Sequence, residues 1–224
     1  MKVISKIYNY LRCIPKSLLF NFYYLPFKQA IYFPIIVSHR TKIMSLKGSV
    51  TVPTGAKTGK IKLGFVCVQI ADSAKSRFIW NISKTGIINF GHNNKIGTGS
   101  KLNISGNLIF GDRVNFSGES CIISHKQISF GNNCLISWNT LFMDTDFHPI
   151  IDYENNRKNH NKPIIIGNSV WVGAKATLLK GATIGNNCII SANSHVTKKF
   201  DDDIIIGGNP ACIIGSMIGK KFID

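Results

Sequence analysis

The sequence predicts an all-β fold in which the chain winds as a coil with three flat faces, and two periodicities and one interruption carry that prediction. Over the carboxyl-terminal third, aliphatic residues recur every six positions, at Ile166, Val172, Leu178, Ile184, Ile190 and Val196. Small residues follow most of them, as in "IGNSVW", "VGAKAT" and "IGNNCI". Upstream the period is twenty: Val50, Ile70, Phe90, Phe110 and Phe130 align, with Ala71, Gly91, Gly111 and Gly131 after four of them. The hexad survives within each unit, because Phe90, Ile96 and Leu102 are matched by Phe110, Phe116 and Ile122, then by Phe130, Ile136 and Phe142. The two additional residues per unit therefore fall at one corner. The interruption follows Phe142, after which the next clear anchor is Ile166.

Anchors six apart share no face of a 3.6-residue helix, so a helical solenoid is excluded. An apolar anchor, a small neighbour and polar residues between them suit a strand, a corner and the next strand. Three hexads close one coil, the anchors point into a narrow core, and successive coils stack by parallel pairing at ~4.8 Å. Gly and Asn, poor in strands, fit the corners, where left-handed backbone angles and close approach are required.

The amino-terminal 45 residues lack the repeat and are basic and aromatic. Residues 2–13 read as a short helix ended by Pro15, and "YYLPFKQAIYFPIIVS" as extended segments leading into the coil. The first coil would otherwise expose an open sheet edge, so this segment is expected to cap it and to join subunit contacts, with attachment to a membrane surface as the alternative. The expected organisation is a cap over 1–45, a coil over 46–215 with a loop at 148–163, and a tail over 216–224 that closes the other edge.

The 224 residues, 44% hydrophobic, allow a sizeable core. Lys plus Arg number 27 against 11 Asp plus Glu, and no acidic residue precedes Asp72 while eleven Lys and Arg do. Such a surface attracts polyanions, whether lipid headgroups, a phosphorylated cofactor, acidic glycan or nucleic acid. The six cysteines include no Cys-x-x-Cys pair and read as small buried thiols in a reducing compartment. Charges break up the amino-terminal apolar residues, and "SLLFNFYYLPF" is far short of the ~20 residues needed to span a bilayer. The expected location is the cytoplasm, with the inner face of the membrane as a refinement.

An insertion at one corner of a regular coil is where a binding loop belongs. At the start of the excursion "TDFHPIIDYENNRKNHNKP", Asp144 just before it and Asp146 and His148 within it stand at alternate positions, which share a face if the strand runs that far. Histidine suits a general base near neutral pH, and an aspartate can fix its tautomer. Asp146 is nearer and Asp144 is the alternative.

Residues 50–215 resemble the hexapeptide-repeat acyltransferases, particularly sugar and polysaccharide O-acetyltransferases. The resemblance rests on "PIIIGNSVWVGAKATLLKGATIGNNCIISANSHVTKKFDDDIIIGGNPACII", with its Trp-x-Gly and Gly-Gly-Asn-Pro-Ala. It implies a left-handed parallel β-helix, acetyl-CoA as co-substrate, no metal, and a homotrimer with active sites in the subunit clefts. It implies a sugar or glycan acceptor, lipid-linked in one version, within capsule, O-antigen or exopolysaccharide synthesis, and no nucleic acid. His148 matches the family's catalytic histidine. The amide near Gly173 and Ala174 would hold the oxyanion, Trp171 would wall the pocket, and Ala192, Thr197 and Lys198 would contact coenzyme A, with Lys199 an alternative phosphate partner. Alanine stands at 174 where the family often has serine, and the basic residue expected soon after the Pro-Ala turn is delayed to Lys220. His92, His125, His160 and His195 read as surface residues, with His160 an alternative contact to an acidic acceptor. Two rival readings are a non-catalytic scaffold for glycan or nucleic acid, and a zinc enzyme like the carbonic anhydrases of the same coil, for which His125 and His148 lack a third histidine in pattern.

Overall fold

The computed structural model of the chain describes residues 2–65, 68–72 and 75–223. Its strands form three sheets of nine, seven and seven strands, in which each strand pairs with the third one along the chain. Pairing between coils is parallel, and the last strand, Cys212–Ser216, turns back antiparallel on Ile204–Gly207. The first face includes Ile35–Val37, Leu135–Ile136 and Trp171–Val172; the second includes Leu141–Met143 and Thr177–Leu179; the third includes Gln127–Phe130 and Ile164–Ile166.

The hexads become vertical columns. Phe130 pairs with Phe110 on one side and Ile166 on the other, Phe116 lies between Ile96 and Ile136, and Ile122 lies between Leu102 and Phe142. Val172 continues to Ile190 and Leu178 to Val196. All of these side chains are buried, and the rings of Phe90, Phe110 and Phe130 stack at 5.3 and 5.5 Å. Offset stacking of that kind adds to simple area burial.

The period of twenty holds only from Phe90 onward. Val50 pairs with Ile88, not with Phe90, and Ile70 is exposed. The cause is a second excursion between Ile61–Leu63 and Ile79–Ile82, which breaks the count although the spacing looks regular.

Corners explain the Asn and Gly content. At the third-to-first corner the carboxamide or carboxylate oxygens of Asp112, Asn132, Asn168, Asn186 and Asp202 each accept the backbone N–H of the equivalent residue one coil earlier, at 2.7–2.8 Å. The next residue in each coil, such as Asn133, Ser169 or Asn187, takes a positive φ of 51–59°. Asparagine serves both needs, as a local acceptor and as a residue tolerant of left-handed angles. Glycine serves a third: a Cβ on Gly167 would lie 2.6 Å from the carbonyl oxygen of Gly185. Gly167→Ala should therefore destabilise the coil by about 1–3 kcal/mol through overpacking against backbone, measured as a lowered denaturant midpoint.

The amino-terminal segment differs from its expectation. One helix, α1, runs from Lys2 to Tyr24 with Pro15 inside it, and a short helix, α2, covers Phe27–Ala30 within a segment expected to be extended. Proline removes one helical hydrogen bond and crowds the preceding turn, but α1 has tertiary support. Cys13, Ser17, Phe20 and Asn21 are buried, and Ser17 and Asn21 treat the edge strand as if they were another coil. The Val37 N–H donates to Ser17 Oγ (3.0 Å), the Ile35 N–H to Asn21 Oδ1 (3.2 Å), and Asn21 Nδ2 to the Ile35 carbonyl (2.7 Å). The helix thus closes the edge with side chains, leaving these backbone groups unavailable to a strand from another chain. Coil strands begin at Ile35, eleven residues before the expected boundary at 46.

Cys13, Cys134 and Cys188 are buried free thiols and Cys121 is half-buried, whereas Cys212 is exposed on the terminal strand, against expectation; Cys67 lies outside the described residues. Burial pushes the Cys134 thiol up to about 11, far from nucleophilic readiness.

Candidate active site

The loop springs from the second-to-third corner. The strand Leu141–Met143 ends before Asp144, and the next strand begins at Ile164, so the alternation that would align Asp144, Asp146 and His148 is not maintained. The three residues have separate surroundings.

Asp144 is fully buried. One carboxylate oxygen accepts the His125 N–H (2.7 Å); the other accepts the Lys126 N–H (2.9 Å) and the Ser124 hydroxyl (3.0 Å). It is a structural acceptor that closes the corner of the coil before it, and it does not reach His148.

Asp146 sits at the loop base. It accepts from the Lys180 ammonium and from Asn159 Nδ2 at 2.8 Å, and these two bonds hold its carboxyl below the ordinary range of 3.8. Asn159 also donates to the His148 carbonyl (2.9 Å) and accepts the Ile150 N–H (2.6 Å), so a single side chain pins both ends of the turn around His148. A depressed carboxylate stabilises the folded form above its unfolded value, and that contribution is lost as pH falls through the folded value. The loop should therefore stay tethered at neutral pH and loosen only in acid below the usual aspartate range. Lys180→Ala should loosen it at neutral pH, seen as faster proteolysis within residues 144–163.

His148 is exposed, and its ring makes no hydrogen bond to a described residue. Its backbone is fixed instead: the N–H donates to the Asp146 carbonyl (2.6 Å), and the neighbouring Phe147, at φ 60°, packs edge-on against the His125 ring at 5.0 Å. Neither aspartate serves as its partner within the chain. Among the described residues no group of three His, Cys, Asp or Glu side chains converges as a metal site.

The remaining candidates divide between two corners. Thr197 and Lys198 are exposed at the same second-to-third corner as His148, with Lys198 Nζ 5.3 Å from the centre of the Phe200 ring. Gly173, Ala174 and Ala192 lie at the first-to-second corner, across the second face. The amide of Ala174 has no acceptor among the described residues, a property it shares with Ala192 and Trp138 in the same column. Trp171 stands on the first face, donates to Ser137 Oγ (3.2 Å) and packs against Phe222 at 6.3 Å. The tail there covers a cavity of about 560 Å³ whose charged lining is Lys95, Arg113 and Lys221, all cationic. Lys199 lies 3.7 Å from Asp201, and Lys220 donates to the Ser216 carbonyl.

Sequence reasoning missed Lys180 and Asn159. Coil arithmetic reaches the first, because Met143 pairs with Leu179 and so Asp144 is followed one coil later by Lys180. No periodicity reaches Asn159, which lies within the irregular loop.

Residues 163–198 match the family model for the bacterial transferase hexapeptide of six repeats. Over 150 residues the chain is 31% identical to the provisionally named lipopolysaccharide biosynthesis O-acetyl transferase WbbJ of Escherichia coli K12, covering 62% of this chain and 76% of that protein. Further curated relatives match over less than two thirds of their own lengths. Among solved structures, the polySia-specific acetyltransferase NeuO superposes with a TM-score of 0.67 at 21% identity, covering 85% of this chain and 82% of that one. A hexapeptide-repeat acetyltransferase of Vibrio cholerae, solved with acetyl coenzyme A, gives 0.50 at 24% identity over 57% of this chain and 70% of its own.

Proposed function

The chain belongs to the hexapeptide-repeat acyltransferases, with their left-handed parallel β-helix, and from that premise we propose that it transfers an acetyl group from acetyl-CoA to a hydroxyl of a cell-surface polysaccharide, with His148 as general base. The observation that carries the proposal is the exposed ring of His148, without a hydrogen bond to any described residue and held by its backbone at the mouth of the loop that interrupts the coil.

The chemistry needs little more. A sugar hydroxyl is a weak nucleophile, so His148 takes its proton as the oxygen bonds to the thioester carbon. Negative charge then develops on the thioester oxygen, where a fixed backbone N–H such as that of Ala174 is an effective donor. When the intermediate collapses, the carbon–sulfur bond breaks and the imidazolium returns the proton to the departing thiolate. Transfer is direct, without an acyl-enzyme, because no Cys or Ser stands in the loop to carry the acyl group.

His148 and the Ala174 amide occupy different corners of one chain, so the reading includes a homotrimer in which one subunit's loop faces the neighbour's corner column. Exposed Phe147, Ile150, Ile151 and Tyr153 on the loop suit such a contact. Acetyl-CoA would lie in that cleft, with Ala192 and Trp171 beside the pantetheine and Thr197 and Lys198 towards the phosphates. Asp146 acts through Asn159 and Lys180 as a positioning group for the loop. The acceptor belongs to capsule, O-antigen or exopolysaccharide synthesis, in keeping with the lipopolysaccharide and polysialic acid named for relatives, and transfer takes place at the inner face of the membrane.

The test is thiol release from acetyl-CoA over a panel of capsular and O-antigen glycans. Release that depends on a glycan and yields an alkali-labile acetyl ester is expected. An alkali-stable amide product, or no acceptor-dependent release from folded protein, would overturn the reading.

A further inference from the structure

The helix α1 buries one side against the coil and leaves an apolar arc exposed on the opposite side. Cys13, Ser17, Phe20 and Asn21 face the coil, while Tyr8, Leu11, Pro15, Leu18, Leu19 and Phe22 occupy the opposite arc and are exposed. The surface continues beyond the helix through Phe27, Ile31 and Tyr32 at 71, 44 and 60% exposure. A contiguous apolar surface of this breadth marks an interaction site.

The charges around it choose the occupant. Arg12, Lys16, Lys28, Arg40 and Lys42 are the only charged residues between 8 and 42, and every one is cationic. A second copy packed symmetrically on this face would set cations against cations. A bilayer with anionic headgroups offers the two things the face lacks, apolar depth and negative charge. The form agrees: the exposed arc is broad and convex, rich in Phe, Tyr and Leu, and α2 widens it, so it suits a planar interface better than a narrow groove. No described helix is long and apolar enough to cross a membrane.

We propose that the outer face of α1 and α2 binds an anionic lipid surface, with α1 lying in the plane of the interface, Leu11, Leu18 and Phe22 entering the acyl boundary, and Arg12 and Lys28 meeting the headgroups. The proposal does not depend on the transferase reading, and its test uses no substrate.

The full chain is sedimented with vesicles of phosphatidylcholine alone and with vesicles containing about a third phosphatidylglycerol, alongside Leu11→Glu/Phe22→Glu and Arg12→Glu/Lys28→Glu variants. The altered side chains are exposed, so the fold should persist, and circular dichroism with solution mass checks this. The wild type is expected to bind the anionic vesicles at least roughly tenfold better than the neutral ones, with binding weakened by salt. Both variants should lose most of it at unchanged mass. Wild-type protein left in the supernatant with anionic vesicles would overturn the proposal, including the case where it instead captures an acidic protein. So would variants that sediment like wild type, or a drop in solution mass in the apolar variant, which would assign the face to contact between copies.

Discussion

His148→Ala should lower acetyl transfer by about 10²- to 10⁴-fold, the usual worth of a general base, with little change in the affinity for acetyl-CoA. The side chain is exposed and its ring has no hydrogen-bond partner among the described residues, so its removal touches neither the core nor the loop tether. Stability should stay within about 0.5 kcal/mol of wild type, as for surface substitutions generally. Loss of rate at constant melting temperature is the signature expected of a chemical role. Thiol release and thermal melts on the same preparation read both. Undiminished turnover in the variant would remove His148 from the mechanism.

Asp144→Ala should do the opposite, although the two residues lie four apart. Its carboxylate is the acceptor for the His125 and Lys126 amides and takes the Ser124 hydroxyl as well. Leaving a donor unsatisfied away from water costs about 1–3 kcal/mol; the two amides are part-buried, so a total loss on the order of 3 kcal/mol is expected. In a denaturant titration this appears as a lowered midpoint. The activity of whatever remains folded should suffer less than in His148→Ala. A variant as stable as wild type would show that the corner finds other acceptors.

The regular part of the coil was legible because its signal is repeated. Each anchor from Phe90 to Val196 has a partner one coil away, so an error at one position is corrected by its neighbours, as with Phe110 between Phe90 and Phe130. Where repetition lapses, reading lapses too. Ile70 satisfied the spacing but sits in an excursion, and Pro15 obeyed the local rule for ending a helix while Ser17 and Asn21 held α1 to the sheet edge. Tertiary hydrogen bonds decided both the helix length and the start of the coil, and sequence periodicity does not encode them.

The site divides in the same way. His148 could be found because it stands where the repeat stops. The alternation of Asp144, Asp146 and His148 suggested a shared face, but alternation has meaning only inside a strand, and the strand ends at Met143. Beyond it one aspartate turned inward to close a corner and the other turned to Lys180 and Asn159. The pairing that mattered, loop base to the next coil, was visible only in the register of 143 with 179.

The proposed site is divided between two copies of the chain, His148 from one and the Ala174 corner from the next. Mixing two inactive proteins tests it most directly: His148→Ala, which lacks the base, and Ala174→Pro, which lacks the amide donor. In mixed trimers one cleft pairs an intact loop with an intact corner, so co-refolding equal amounts should restore activity to roughly a quarter of wild type by counting of cyclic arrangements. Activity that stays at the level of the two separate variants, in trimers shown to contain both chains, would contradict the account.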